Sequence, residues 1–248
     1  MVARAIQSVL SERPGWTGAR SGLARRELDR ASQWGLWALP AWTVLLFLGT
    51  LTHQPDTRTD FAGFARYVTT TEFLMGHIVY SILGAAIGVL GILALCMFLA
   101  LHARARLTLA GLILAVVGNV MITSVFGVAA FGQSAVGRLY LAGHTDEAVA
   151  TYHDMYGTPL SITAAAGILS LTVGIVMLGI VIYRSVVLAK WAGVGLALGM
   201  VVFGVIGVIL ADFVQSIGAV MLIVSTVGVA LSGRRAGAGD LGSSAAIR

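Results

Sequence analysis

The sequence predicts an all-α fold, an integral membrane bundle of six transmembrane helices, and three observations carry that prediction. Only 11% of the 248 residues are charged while 58% are hydrophobic, where soluble domains carry roughly 25% charged residues. The apolar residues fall in six long segments, each close to the roughly 20 residues that a 30 Å hydrocarbon layer requires. Thirteen of the sixteen Lys and Arg residues lie in alternate connections, the bias that sets orientation in a bilayer.

The elements follow in chain order. Residues 1–33 form a polar N-terminal segment in which Arg20, Arg25, Arg26 and Arg30 accompany Glu27 and Asp29 after a Pro14-Gly15 break. Such a stretch reads as a juxtamembrane helix touching anionic lipid. The first span, 34–52, opens on Trp34, Trp37 and Trp42, an aromatic belt at the interface. A long polar segment precedes it and no small-x-small cleavage pattern follows, so it is read as a retained helix. Between Thr59 and Val68, the spacing of Phe61, Phe64 and Val68 predicts an outer helix lying on the bundle. The second and third spans, 76–101 and 107–131, flank a short turn with Arg104 and Arg106. A second outer helix is predicted over Thr145–Tyr156, ended by Gly157 and Pro159.

The fourth and fifth spans, 160–183 and 191–211, flank the Arg184–Lys190 turn, and Trp191 opens the fifth. Because one helix from Trp191 to Ser232 would be about 63 Å long, a hairpin is placed near Asp212, ahead of the sixth span, 213–232. The transmembrane domain is therefore 34–232, and the Gly/Ala/Ser-rich tail 233–248 reads as disordered. Residues 1–33, the turns at 102–106 and 184–190 and the tail hold the thirteen basic residues, which places both termini in the cytoplasm and the protein in the plasma membrane.

Two units share a plan of outer helix, span, basic turn and span. They open on Thr59-Asp60-Phe61-Ala62 and Thr145-Asp146-Glu147-Ala148, read as helix N-caps with acid in the first turn. Both run the same way across the membrane, so the reading is a parallel internal repeat, with a four-helix core and the first and sixth helices peripheral. Gly84-x3-Gly88 and Gly195-x3-Gly199 are small-residue faces for tight packing within the bundle, with self-association as a second use.

Several function classes drop out. A single cysteine, Cys96, permits neither a disulfide nor a cysteine-based zinc site. The net charge of +5 belongs to flanking arginines rather than to nucleic-acid binding. No charged residue stands at mid-span, where ion-coupled transporters and voltage sensors need one. Asn119, with Thr123 one turn on, is the most polar group near the midplane, and the pair are the candidate substrate-binding residues. The alternative for Asn119 is an interhelical hydrogen bond that fixes packing.

Polar groups gather at the outer face. His53, Glu72, His77, His144, His153 and Asp154 are the candidate metal ligands, since His and carboxylate suit Zn²⁺ or Cu²⁺. His77 and His153 are also the candidate haem pair, on neighbouring helices of a bundle. No catalytic residue is assigned, because Ser161, Thr163 and Ser170 have no acid or His nearby in sequence.

Lys190-Trp191-Ala192-Gly193 after a basic turn and Gly118-Asn119-Val120 in the third span resemble polytopic, about six-helix membrane proteins of actinobacteria. The resemblance spans residues 34–232 and implies membrane location and helix count, with no activity to carry over. The expected function is a non-catalytic membrane subunit or a binder of lipophilic molecules. A redox protein holding metal or haem through outer histidines, and a small-solute transporter, are the alternatives. No cofactor is expected; the expected partners are membrane lipids, with a second copy or another membrane protein, and no nucleic acid.

Overall fold

The computed structural model describes residues 14–103, 105–210 and 212–245, and every regular element among them is helical. Helix α1 (Pro14–Gly35) runs into α2 (Ala38–Thr50) through a break at Leu36-Trp37. Pro40 explains the break, because its ring clashes with the carbonyl four residues earlier. That carbonyl, of Leu36, instead accepts from the Leu39 N–H at 3.1 Å. Together α1 and α2 supply the first apolar span, Ala24–Thr50.

The other five spans are α4 (Thr71–His102), α5 (Arg106–Leu141), α7 (Thr158–Arg184), α8 (Lys190–Leu210) and the apolar part, Phe213–Ala236, of α9 (Asp212–Ala245). Two short helices, α3 (Phe61–Val68) and α6 (Thr145–Met155), precede α4 and α7. All six predicted spans are present. Their shared end carries Arg25, Arg26, Arg106, Arg184, Lys190 and Arg234 and is called the basic end; α3 and α6 mark the opposite, cap end. Residue 211, in the predicted hairpin, lies outside the described residues, as do Arg104, residues 1–13 and the last three of the tail. Helix α9 continues to Ala245, through most of the segment that composition reads as disordered.

The third span corrects its predicted end. Instead of stopping at Phe131, α5 continues through Arg138 to Leu141. At 1.5 Å per residue its 36 residues reach about 54 Å, against about 31 Å for the 21 residues of α8. One side of the bundle therefore projects well beyond a 30 Å hydrocarbon layer while the other ends with it. The projection continues because Val136 and Gly137 are buried against α3: a Cβ on Gly137 would stand 2.6 Å from Val68. Ser134 Oγ donates to the Val68 carbonyl at 2.7 Å, and Phe61, Phe64, Tyr140 and Tyr152 join α3, α5 and α6 in one aromatic cluster.

Each span packs on its neighbours in sequence and the first packs on the last, closing the six into a ring. This corrects the expectation of a four-helix core with peripheral end helices. The first span is fully engaged: Leu36, Leu39 and Trp42 are all at most 2% exposed. Thr43 and Thr226 share a hydrogen bond at 3.1 Å, and Thr50 and Ser216 another at 2.8 Å, binding α2 to α9. The two outer helices also start differently. Asp60 caps α3 through the Gly63 N–H at 2.7 Å, whereas α6 starts after His144 with no side-chain cap, leaving Thr145 and Asp146 inside its first turn.

Both predicted glycine faces are used within the chain. Gly84 and Gly88 admit Leu45 and Trp42 of α2, while Gly195 and Gly199 admit α9 at Ser225 and Leu222. The closest approach lies elsewhere, between α5 and α7: a Cβ on Gly174 would stand 2.4 Å from the Ala115 nitrogen, and one on Gly118 would stand 2.3 Å from that of Leu171. Large apolar side chains such as Leu90, Ile113, Val120, Leu169 and Leu198 point outward and are more than half exposed. Exposed apolar surface all round the middle of a bundle is a lipid-facing surface.

Candidate functional site

Toward the basic end the ring is filled, by a contiguous core that includes Trp42, Phe98, Ile175, Leu178 and Leu196. Toward the cap end it is hollow. A cavity of about 260 Å³ lies inside the ring, with walls from all six spans. Three members of the filled core, Trp42, Leu171 and Met200, line it from below. Higher up it is bounded by Thr50 of α2, Tyr80 and Ser81 of α4, Phe126 of α5, Phe203 of α8 and Gln215 of α9.

Two π-helical turns contribute to the cavity wall, His77–Leu83 in α4 through Tyr80 and Ser81 and Val202–Ile206 in α8 through Phe203 and Gly204, while a third, Val128–Gln133 in α5, lies outside the lining. A π turn takes an extra residue, and one residue rotates the following helix face by about 100°. In α8 the glycine within the turn, Gly204, faces Thr172 of α7, whereas Gly199 before it and Gly207 after it both face α9. In α4 the tight pair Gly84 and Gly88 lies on the basic side of the π turn, and the turn itself contains no buried residue.

Asn119 lines this cavity and is 3% exposed. Its Nδ2 donates to the Ala85 carbonyl of α4 at 3.3 Å, so the residue also forms the interhelical bond that was its alternative reading. Thr123 is not part of the cavity lining; its hydroxyl turns back to the Asn119 carbonyl at 2.7 Å and to Oδ1 at 3.4 Å. The other polar groups of the wall, Tyr80, Ser81 and Gln215, have no hydrogen-bond partner among the described residues. Thr172 is 5% exposed, and its Oγ1 has no partner among the described residues. That oxygen stands 2.9 Å from where Gly204, a wall residue, would carry a Cβ. No Asp, Glu, Lys, Arg or His lines the cavity.

The outer histidines and carboxylates are dispersed. His53, Glu72, His144, His153 and Asp154 are exposed. His144 approaches only Glu147 of its own helix, at 3.6 Å. His77, expected at the start of the second span, lies beyond its first turn, with its ring on Phe73 and Nδ1 donating to the Phe73 carbonyl at 3.1 Å. The ring of His153 meets that of Tyr152 on its own helix. Among the described residues no three of His, Cys, Asp and Glu come together as a metal site would require. At the basic end, His102 donates Nδ1–H to the Phe98 carbonyl at 2.8 Å and turns Nε2 toward Asp29 at 3.8 Å, linking α1 to α4.

The outer helices do not close the cavity as a lid, since none of its lining residues belongs to α3 or α6. They form a separate cap, in which burial raises the Tyr67 phenol, with the Glu72 charge adding to it. Burial also pushes Tyr156 up to about 12, although Gln133 donates its amide N–H to the Tyr156 oxygen. Comparison with protein-family models, with curated proteins and with solved structures finds no match to this chain.

Proposed function

We propose that this multi-pass membrane protein binds an uncharged lipophilic molecule in the cavity within its ring of spans, without catalysing a reaction on it. The observation that carries this reading is the cavity itself, apolar over most of its wall, free of charged side chains and placed within the apolar spans. A charged solute would lose its hydration there with no counter-charge to replace it. Val208 lines the cavity and is also 54% exposed, so the wall meets the lipid-facing surface at α8. A ligand dissolved in the bilayer reaches the cavity there without crossing water.

The basic end faces the cytoplasm of the cell membrane in this reading, by the excess of arginine at that end. An impermeant maleimide applied to intact cells should label His144→Cys and not Arg235→Cys, each in a Cys96→Ala background. The reverse pattern would invert the orientation.

Ligand binding is tested by filling the cavity. Ala164 lines it and is half-buried, so Ala164→Phe places a ring in the empty space. Native mass spectrometry from lipid nanodiscs should find a co-purified lipophile on the wild type and none on Ala164→Phe, with both melting within a few degrees. Equal occupancy in the two proteins would refute the reading.

A further inference from the structure

The polar groups of the cavity go further and define a ligand class, an inference that rests on the binding reading above. Serine in a helix ordinarily bonds back to a carbonyl one turn earlier, as Ser134, Ser225 and Ser232 do here at 2.7–2.9 Å. Ser81, in the π turn of α4, makes no such bond, and neither Ser81 nor the adjacent Tyr80 has a partner among the described residues. Asn119 spends one amide proton on Ala85, and one lone pair of its Oδ1 accepts from Thr123, so an N–H and the second lone pair remain for the cavity. Gln215 of α9 also lines the wall and has no partner among the described residues, whereas Thr172 does not line it.

These groups stand on α4, α5 and α9 around a wall that no charged residue lines. An unmade hydrogen bond in such surroundings is costly, so the site favours a ligand that forms hydrogen bonds without bringing charge. The cavity volume of about 260 Å³ lies below the roughly 300–1,000 Å³ of sites that enclose a whole drug-sized molecule. It suits a ring or a short head, with the rest of the ligand leaving along the half-exposed Val208.

We infer that the cavity receives the carbonyl-bearing head of a neutral lipophile of the quinone kind, with its apolar tail extending into the bilayer. Tyr80, Ser81, Asn119 and Gln215 donate to the carbonyl oxygens, and Trp42 forms the apolar floor.

The test uses the full chain in nanodiscs and two probes that share one short isoprenoid tail, a naphthoquinone and the corresponding naphthalene hydrocarbon. Quenching of the Trp42 emission, verified by its loss in Trp42→Phe, reads binding. The quinone should bind more tightly than the hydrocarbon. The double variant Tyr80→Phe, Ser81→Ala should weaken the quinone about tenfold and leave the hydrocarbon unchanged. Its melting temperature should not fall, because these hydroxyls bond nothing else in the fold. Equal binding of both probes, undisturbed by the double variant, would overturn the carbonyl assignment while leaving lipophile binding in place. Failure of both probes to bind would overturn the two readings together, and a large fall in melting temperature would assign the hydroxyls to folding instead.

Discussion

Near the basic end the six spans are packed through their backbones; a few turns further along the same helices, they part around empty space. The difference is one of side-chain size and register rather than of hydrophobicity, since both halves are built from apolar residues. In the packed half, glycine and alanine bring helix axes close: an added Cβ on Gly174 or Gly193 would stand 2.4–2.5 Å from backbone atoms of the partner helix. Association in lipid depends on that close contact, because lipid tails compete equally for apolar surface. In the hollow half, larger groups such as Tyr80, Phe126 and Phe203 line the space between the helices, while α8 and α9 stay in backbone contact at Gly207 and Gly218. Space that packing leaves open is the form a binding site takes inside a bilayer.

The sharpest way to break this comparison is to exchange its two kinds of glycine. Gly174→Leu forces a side chain between α5 and α7, where Ala115 backbone atoms stand 2.4 and 2.8 Å from the Cβ position. Overpacking ordinarily costs about 1–3 kcal/mol; with backbone on the opposing face the expected loss is at the upper end or beyond, seen as a collapse of the melting temperature in detergent. Gly127 in α5 has open space around its Cβ position, so Gly127→Leu should alter stability by less than about 1 kcal/mol, helped by helix propensity. Equal losses would mean that the two halves do not differ in packing.

A smaller effect is expected where the halves meet. A Cβ on Gly88 would stand 2.8 Å from the Trp42 ring, and the ring has the cavity to move into. Gly88→Ala should therefore cost about 1–2 kcal/mol, shift the Trp42 emission and reduce lipophile binding. Asn119→Ala should cost less, about 0.6 kcal/mol and at most about 1.7, since one interhelical bond to Ala85 is lost. A stability loss well above that range would make Asn119 a structural linchpin of α4 and α5.

Much of the packed half was legible in the sequence. The apolar segments mark the spans, and Gly84-x3-Gly88 and Gly195-x3-Gly199 do pack α4 on α2 and α8 on α9. The heptad-spaced pairs Gly111 and Gly118 on α5, and Gly167 and Gly174 on α7, carried the same signal and went unread. The hollow half was hidden, because nothing local distinguishes His77–Leu83 or Val202–Ile206 from α-helix. Asn119 could be found as the lone amide at mid-span, but Tyr80, Ser81 and Gln215 acquire their significance only from a ring closed by the first and last spans. The outer histidines were grouped by composition alone, and among the described residues no three of His, Cys, Asp and Glu stand together.

The cap supplies the mildest prediction and separates it from the hollow region beneath. Tyr156 follows α6 and is joined to Gln133 of α5, with burial pushing its phenol from 10.0 up to about 12. Folding thus favours the neutral phenol, so its contribution to stability is complete below pH 10 and is lost as pH rises toward about 12. Near-ultraviolet absorbance should show a late tyrosinate step that Tyr156→Phe removes. Lipophile binding should be insensitive to the same substitution, because Tyr156 does not line the cavity. A loss of binding in Tyr156→Phe would mean that the cap controls the cavity after all, and that the hollow half extends its function to the helices above it.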